Sequence, residues 1–107
     1  MKKLILILGL GFLAAGCATI GTRFDSDVTQ KIKTGVTTQA DLKALLGEPN
    51  RVGVDDGDVT WTYLYYKLGL FRKQDEKDLY LRFDAAKTVK SFSFNSTFPE
   101  DKAKLAK

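Results

Sequence analysis

The sequence predicts an α+β domain, two N-terminal helices packed on a three- to four-stranded antiparallel meander, behind a secretion signal. Three observations carry that expectation. Apolar residues recur at helical spacing between Asp27 and Leu46, and they switch to a period of two between Arg51 and Asn95. The first sixteen residues have the charged-then-apolar profile of a segment removed on export. At 107 residues the chain has room for one domain. A domain of the size left after the signal buries roughly 60–65% of its unfolded surface, so its core must be efficient.

Ser26 or Asp27 caps the first helix, expected over Val28–Lys33, where Val28 and Ile32 stand four residues apart and Gly35 ends the run. The second helix is expected over Thr38–Leu46. Thr38-Gln39-Ala40-Asp41 has the form of a capping box with Asp in place of Glu, and Leu42, Leu45 and Leu46 make one apolar stripe. Gly47 supplies a left-handed cap, and Pro49 forbids continuation.

Arg51–Val54 reads as a short strand, closed by the hairpin signal Asp55-Asp56-Gly57-Asp58. Val59, Trp61, Tyr63 and Tyr65 alternate with Thr60, Thr62, Leu64 and Tyr66, which places this strand at the centre of the sheet. The segment from Lys67 to Lys77 reads as a loop, polar apart from Leu68, Leu70 and Phe71. Its basic residues Lys67, Arg72, Lys73 and Lys77 read as solvated. Asp78–Phe83 points Leu79, Leu81 and Phe83 inward, with Tyr80 and Arg82 outward, before a turn at Asp84-Ala85-Ala86-Lys87. In the last strand, Thr88–Asn95, Val89 is out of phase with Phe92 and Phe94. That requires a bulge near Lys90 or a Val89 that belongs to the turn. The organisation is therefore a signal peptide at 1–16, a tether at 17–26, the folded domain at 27–96 and a flexible C-terminal tail at 97–107. Pro99 opens a small, charged, terminal run expected to fray.

Composition removes several functions. The formal charge of +4 falls by two when Lys2 and Lys3 leave, and the remaining basic residues are interleaved with acidic ones, so nucleic acid is not an expected partner. There is one cysteine and no histidine. Disulfides within the chain, the usual zinc sites and the common nucleophilic triads are thereby excluded, and no cofactor, metal or catalytic residue is expected.

Leu13-Ala14-Ala15-Gly16-Cys17 follows the apolar run and resembles the lipobox of bacterial lipoproteins. The resemblance implies a lipoprotein signal peptide cut between Gly16 and Cys17, with fatty acyl chains such as palmitate on Cys17. Ala18 is not the aspartate that retains lipoproteins at the inner membrane, which implies the outer membrane, facing the periplasm.

Further along, Ile32-x-x-Gly35-x-Thr37, Leu45-Leu46-Gly47-x-Pro49, Trp61-x-Tyr63 and Leu79-x-Leu81-x-Phe83 occur in order. Over Asp27 to Phe94 the chain resembles the SmpA/OmlA family of small outer-membrane lipoproteins, called BamE in the β-barrel assembly machine. The resemblance implies a non-catalytic accessory subunit or scaffold in outer-membrane protein assembly or envelope integrity. Its partners would be the inner leaflet, through the lipid, and an envelope protein such as the barrel-assembly machine. Candidate partner contacts are Arg23 and Phe24 on the tether, with Tyr66, Leu68, Leu70 and Phe71 after the central strand. The same string recurs in domains shaped like β-lactamase-inhibitor proteins. The alternative is therefore a lipid-tethered binding or inhibitor module acting on an envelope enzyme through Leu64, Tyr66, Tyr80 and Arg82 on an uncovered sheet face.

Overall fold

A computed structural model describes residues 17–69 and 74–106. In chain order the elements are β1 (Cys17–Gly21), α1 (Val28–Lys31), α2 (Gln39–Leu46), β2 (Arg51–Asp55), β3 (Asp58–Gly69), β4 (Asp75–Phe83), β5 (Val89–Ser96) and α3 (Pro99–Leu105). The five strands form one antiparallel sheet. It is four strands wide, because β1 and β2 lie end to end along the same edge of β3.

The long central strand explains that shared edge. β2 pairs with residues 58–62 of β3 and leaves the upper half of β3 without a partner, and β1 fills it, Gly21 opposite Tyr65 and Cys17 opposite Gly69. At the junction the Asn50 side chain accepts from the Leu64 N–H at 2.8 Å, and the Leu64 carbonyl accepts from Thr22 N–H at 2.8 Å. Polar backbone on both sides of the gap is thus satisfied.

The hairpin turn is the one its sequence demands. Asp56 and Gly57 both have positive φ, 50° and 85°, the two-residue geometry that matches strand twist. The capping box forms as well: Asp41 N–H donates to Thr38 Oγ1 at 3.1 Å, and Thr38 N–H to Asp41 Oδ2 at 3.0 Å. The phase problem in β5 is resolved by a bulge, since Arg82 faces Ser91 while Phe83 faces Val89, leaving Lys90 as the extra residue. Val89 is thereby fully buried.

Alternation places Trp61, Tyr63, Tyr65, Leu79, Leu81 and Phe83 on the helix-covered face, and all are buried. Trp61 meets Phe83 edge-to-face at 5.0 Å. Tyr63 donates its hydroxyl to the Gly47 carbonyl at 2.8 Å, closing the end of α2. Burial, with a smaller push from Glu48, raises that phenol to about 12.

Four expectations need correction. The first helix is only four residues long, and Ile32 is extended, yet Val28 and Ile32 are both buried, so their spacing reported burial and not helix length. Leu45, expected in the apolar stripe, is 42% exposed; Leu42 alone of the three is fully buried. Residues 17–26 are not merely a tether: they hold β1 and bury Phe24 and Ser26. Residues 97–107 are not merely a tail either: they contain α3, with Phe98 and Asp101 buried.

Candidate functional site

The sheet has two distinct ends. At one, register sets Cys17 opposite Gly69 and Ala18 opposite Leu68. Tyr66 and Leu68 are half-buried on the open face of β3 at this end. Arg23 is exposed beside a small cleft of about 100 Å³ that it shares with Asp25, Tyr65, Lys67, Lys77, Phe98 and Glu100. Phe24 is not available for a partner. It is 5% exposed and packs edge-to-face on Phe94 at 5.9 Å. Gly16, Leu70 and Phe71 lie outside the described residues.

Next to that cleft lies a buried ion pair whose lysine was expected in a solvated loop and whose aspartate was expected in a flexible tail. Lys77 Nζ sits 3.0 Å from Asp101 Oδ2, with side chains 5% and 3% exposed. Lys77 is held among aromatic rings, 4.6 Å from the Phe98 centroid, 5.8 Å from Phe24 and 5.9 Å from Tyr65. Tyr65 and Phe98 stack at 5.8 Å. Burial pushes the Asp101 carboxyl upward, but hydrogen bonds from Ser96 (2.6 Å) and Lys77 and the lysine charge outweigh it and hold the group below its ordinary value. Ser26 contributes least, and its buried Oγ closes no hydrogen bond.

The open face is a polar mosaic. Asp58 accepts from Arg82 Nε at 2.8 Å and from Lys90 Nζ at 3.1 Å, and both cations hold its carboxyl below the ordinary range. Tyr80 donates to Asp55 at 3.1 Å, and Arg82 Nη2 donates to the Asp55 carbonyl at 3.1 Å. Leu64 and its partner Asp78 separate Tyr66 from Tyr80, and Ser91 and Ser93 flank Arg82 and Tyr80. The four residues of the inhibitor alternative therefore share a face without forming a contiguous aromatic patch.

At the opposite end, a cleft of about 350 Å³ opens between the two hairpin turns and the start of α2, lined by Gln39, Asp58, Trp61, Phe83, Asp84 and Lys87 among others. Its carboxylates face cations or backbone donors: Asp84 Oδ1 accepts from the N–H groups of Ala86 and Thr88, at 3.0 Å each. A general acid at neutral pH needs a raised carboxyl, whereas Asp58 and Asp101 are both lowered. Among the described residues no group of three or more His, Cys, Asp and Glu converges on a metal position, and no helix is long and apolar enough to cross a membrane.

A small antiparallel sheet covered by helices on one face, with its buried lysine and aspartate paired to each other, defines the class of this domain as a small α+β layer fold. A family model described as the outer membrane protein assembly factor BamE domain matches residues 21–93. The chain belongs to the BamE family. No curated protein matches it.

Proposed function

We propose that this chain is a lipid-anchored accessory subunit in outer-membrane protein assembly, held at the inner leaflet through Cys17 and facing the periplasm. Family membership supports the assembly role. The observation that carries the anchoring arrangement is the register Cys17–Gly69, which brings the acylated residue to the end of β3 that bears Tyr66 and Leu68. A lipid there would hold that end at the headgroups, beside Arg23 and Lys67.

The test is an affinity isolation of the full-length, C-terminally tagged chain from its host after mild detergent extraction. Near-stoichiometric recovery of barrel-assembly subunits is the expected result. Recovery of a different envelope enzyme in their place would overturn the assembly role and revive the inhibitor alternative. In parallel, Cys17→Ser is expected to move the protein out of the membrane fraction or leave its precursor unprocessed. Each buried methylene contributes about 0.8 kcal/mol, and two or more chains are needed for stable anchoring. Retention of a processed Cys17→Ser protein on membranes after a high-salt wash would refute the anchor.

A further inference from the structure

β2 is an edge strand: its inner side pairs with β3, and among the described residues no strand pairs with its outer side. The other edge of the sheet is covered where β5 begins. At the start of β5 the loop before α2 bonds to it, Gly35 N–H to the Val89 carbonyl and Val89 N–H to the Thr37 carbonyl, both at 2.8 Å, and Lys90 bulges. Among the described residues nothing comparable bonds to the outer side of β2.

We propose that two copies of this chain associate through their β2 strands, antiparallel and centred on Gly53. The sequence Arg51-Val52-Gly53-Val54-Asp55 is complementary to itself in that arrangement. Arg51 of one copy lies across from Asp55 of the other, twice, and Val52 lies across from Val54, twice. The charges match the pairing. Asp55 is held on the open face by the Tyr80 hydroxyl at 3.1 Å and Arg82 at 3.5 Å, while Arg51 has no acidic partner among the described residues. Opposite-charge pairs across strands favour the register, and like charges disfavour it.

The apolar side agrees. Val52 and Val54 are 64% and 74% exposed, on the face where their partners Trp61 and Val59 point, so pairing would bring four valine side chains into cross-strand contact and cover part of each. Gly53 at the two-fold axis brings no side chain to the point where identical residues meet. The interface is isologous and closes on itself, so it yields a dimer and not a filament. It is small, well below the roughly 1,200 Å² of a standard interface, and it relies on concentration at a membrane. From Thr60 to Gly69 is about 30 Å of strand. The two Cys17 ends therefore lie about 60 Å apart, at opposite ends of a continuous sheet, and the dimer rests with its strands along the membrane plane.

The test uses the full chain in its host membrane, with p-benzoylphenylalanine replacing Val54 and irradiation before any extraction. Irradiation is expected to give a product of twice the chain mass in which position 54 is joined to the 51–55 segment of a second copy. Arg51→Asp and Asp55→Arg should each lower its yield about tenfold, because each sets two like-charge pairs face to face. Co-expression of the two variants, differently tagged, should restore it as a mixed product, since opposite charges then meet at both positions. Thermal unfolding of each variant separates loss of pairing from loss of fold. A wild-type chain that gives no such product, that links to another segment or another protein, or a mixture that fails to restore the yield overturns the proposal.

Discussion

Asp101→Ala is expected to destabilise the domain by about 3–5 kcal/mol, the range found when one partner of a buried pair is removed. For a domain of this size that corresponds to a fall in the thermal midpoint of about 15 °C or more. The reason lies in what remains. Lys77, 5% exposed, would keep its ammonium among Phe24, Tyr65 and Phe98 with its counter-ion gone. Aromatic faces attract a cation but do not replace a carboxylate at 3.0 Å. The double variant Lys77→Met, Asp101→Leu should recover most of the loss, because hydrophobic replacement of a whole buried pair is often neutral or better. Thermal unfolding followed by circular dichroism reads both. If Asp101→Ala melts within 3 °C of wild type, the pair does not hold α3 in place.

Acid should act through the same group. Asp101 is held below its ordinary value of 3.8, so its contribution is complete above that value and disappears as pH falls through the lower folded one. The wild-type protein is therefore expected to lose stability below about pH 4, and Asp101→Asn to show a flatter dependence there. Parallel unfolding curves for the two proteins across that window would contradict the assignment.

Gly21→Ala is the second large effect, and a more local one. Gly21 has φ +92°, and a methyl group there would overlap the Leu64 carbonyl oxygen, which also accepts from Thr22. That carbonyl is fixed in the centre of the sheet and has nowhere to retreat. We expect alanine to weaken the pairing of β1 by about 2 kcal/mol or more from backbone strain and overlap together. Amide hydrogen exchange would locate the loss in residues 17–21, with the β3–β4 ladder still protected. Gly47→Ala is the comparison. That residue has φ +83° and ψ −161°, a conformation essentially confined to glycine, with open space around it, so only backbone strain, on the order of 1–3 kcal/mol, applies and no overlap adds to it. Equal effects from the two substitutions would show that the close approach is immaterial.

Much of the fold was legible because short-range rules agree with one another. The capping box at Thr38, the Asp56-Gly57 turn and the period-two run through Trp61 and Tyr63 are all set by neighbours a few residues away. The bulge at Lys90 could be inferred because Val89 was out of phase with Phe92 and Phe94. Two segments were misread where pairing is distant in sequence. β1 has no hairpin turn to announce it; it exists because β3 outruns β2. α3 looked like a charged tail because its apolar content is slight, and what docks it is an aspartate.

A signal for that docking was present in β4. Lys77 stands in phase with Leu79, Leu81 and Phe83, and a lysine in the inward phase calls for an acid somewhere else in the chain. The candidate contacts divided along similar lines. Tyr66 and Leu68 fall on the open face as alternation requires, whereas Phe24 follows a strand that sequence periodicity does not reveal and packs inward.

The position of the Lys77–Asp101 pair bears on how the chain matures. Every strand is complete once Ser96 has emerged, so a molecule broken off just after it already holds the entire sheet. Such a molecule would nonetheless be left with a stranded ammonium, a missing lid over Tyr65, and a face that invites unfolding and proteolysis. Only when Phe98 and Asp101 arrive does the interior become electrically neutral. The domain thereby distinguishes complete copies from fragments: Phe24, just after the first strand, and the last helix meet over the same lysine, and a chain lacking that helix is left with an open interior.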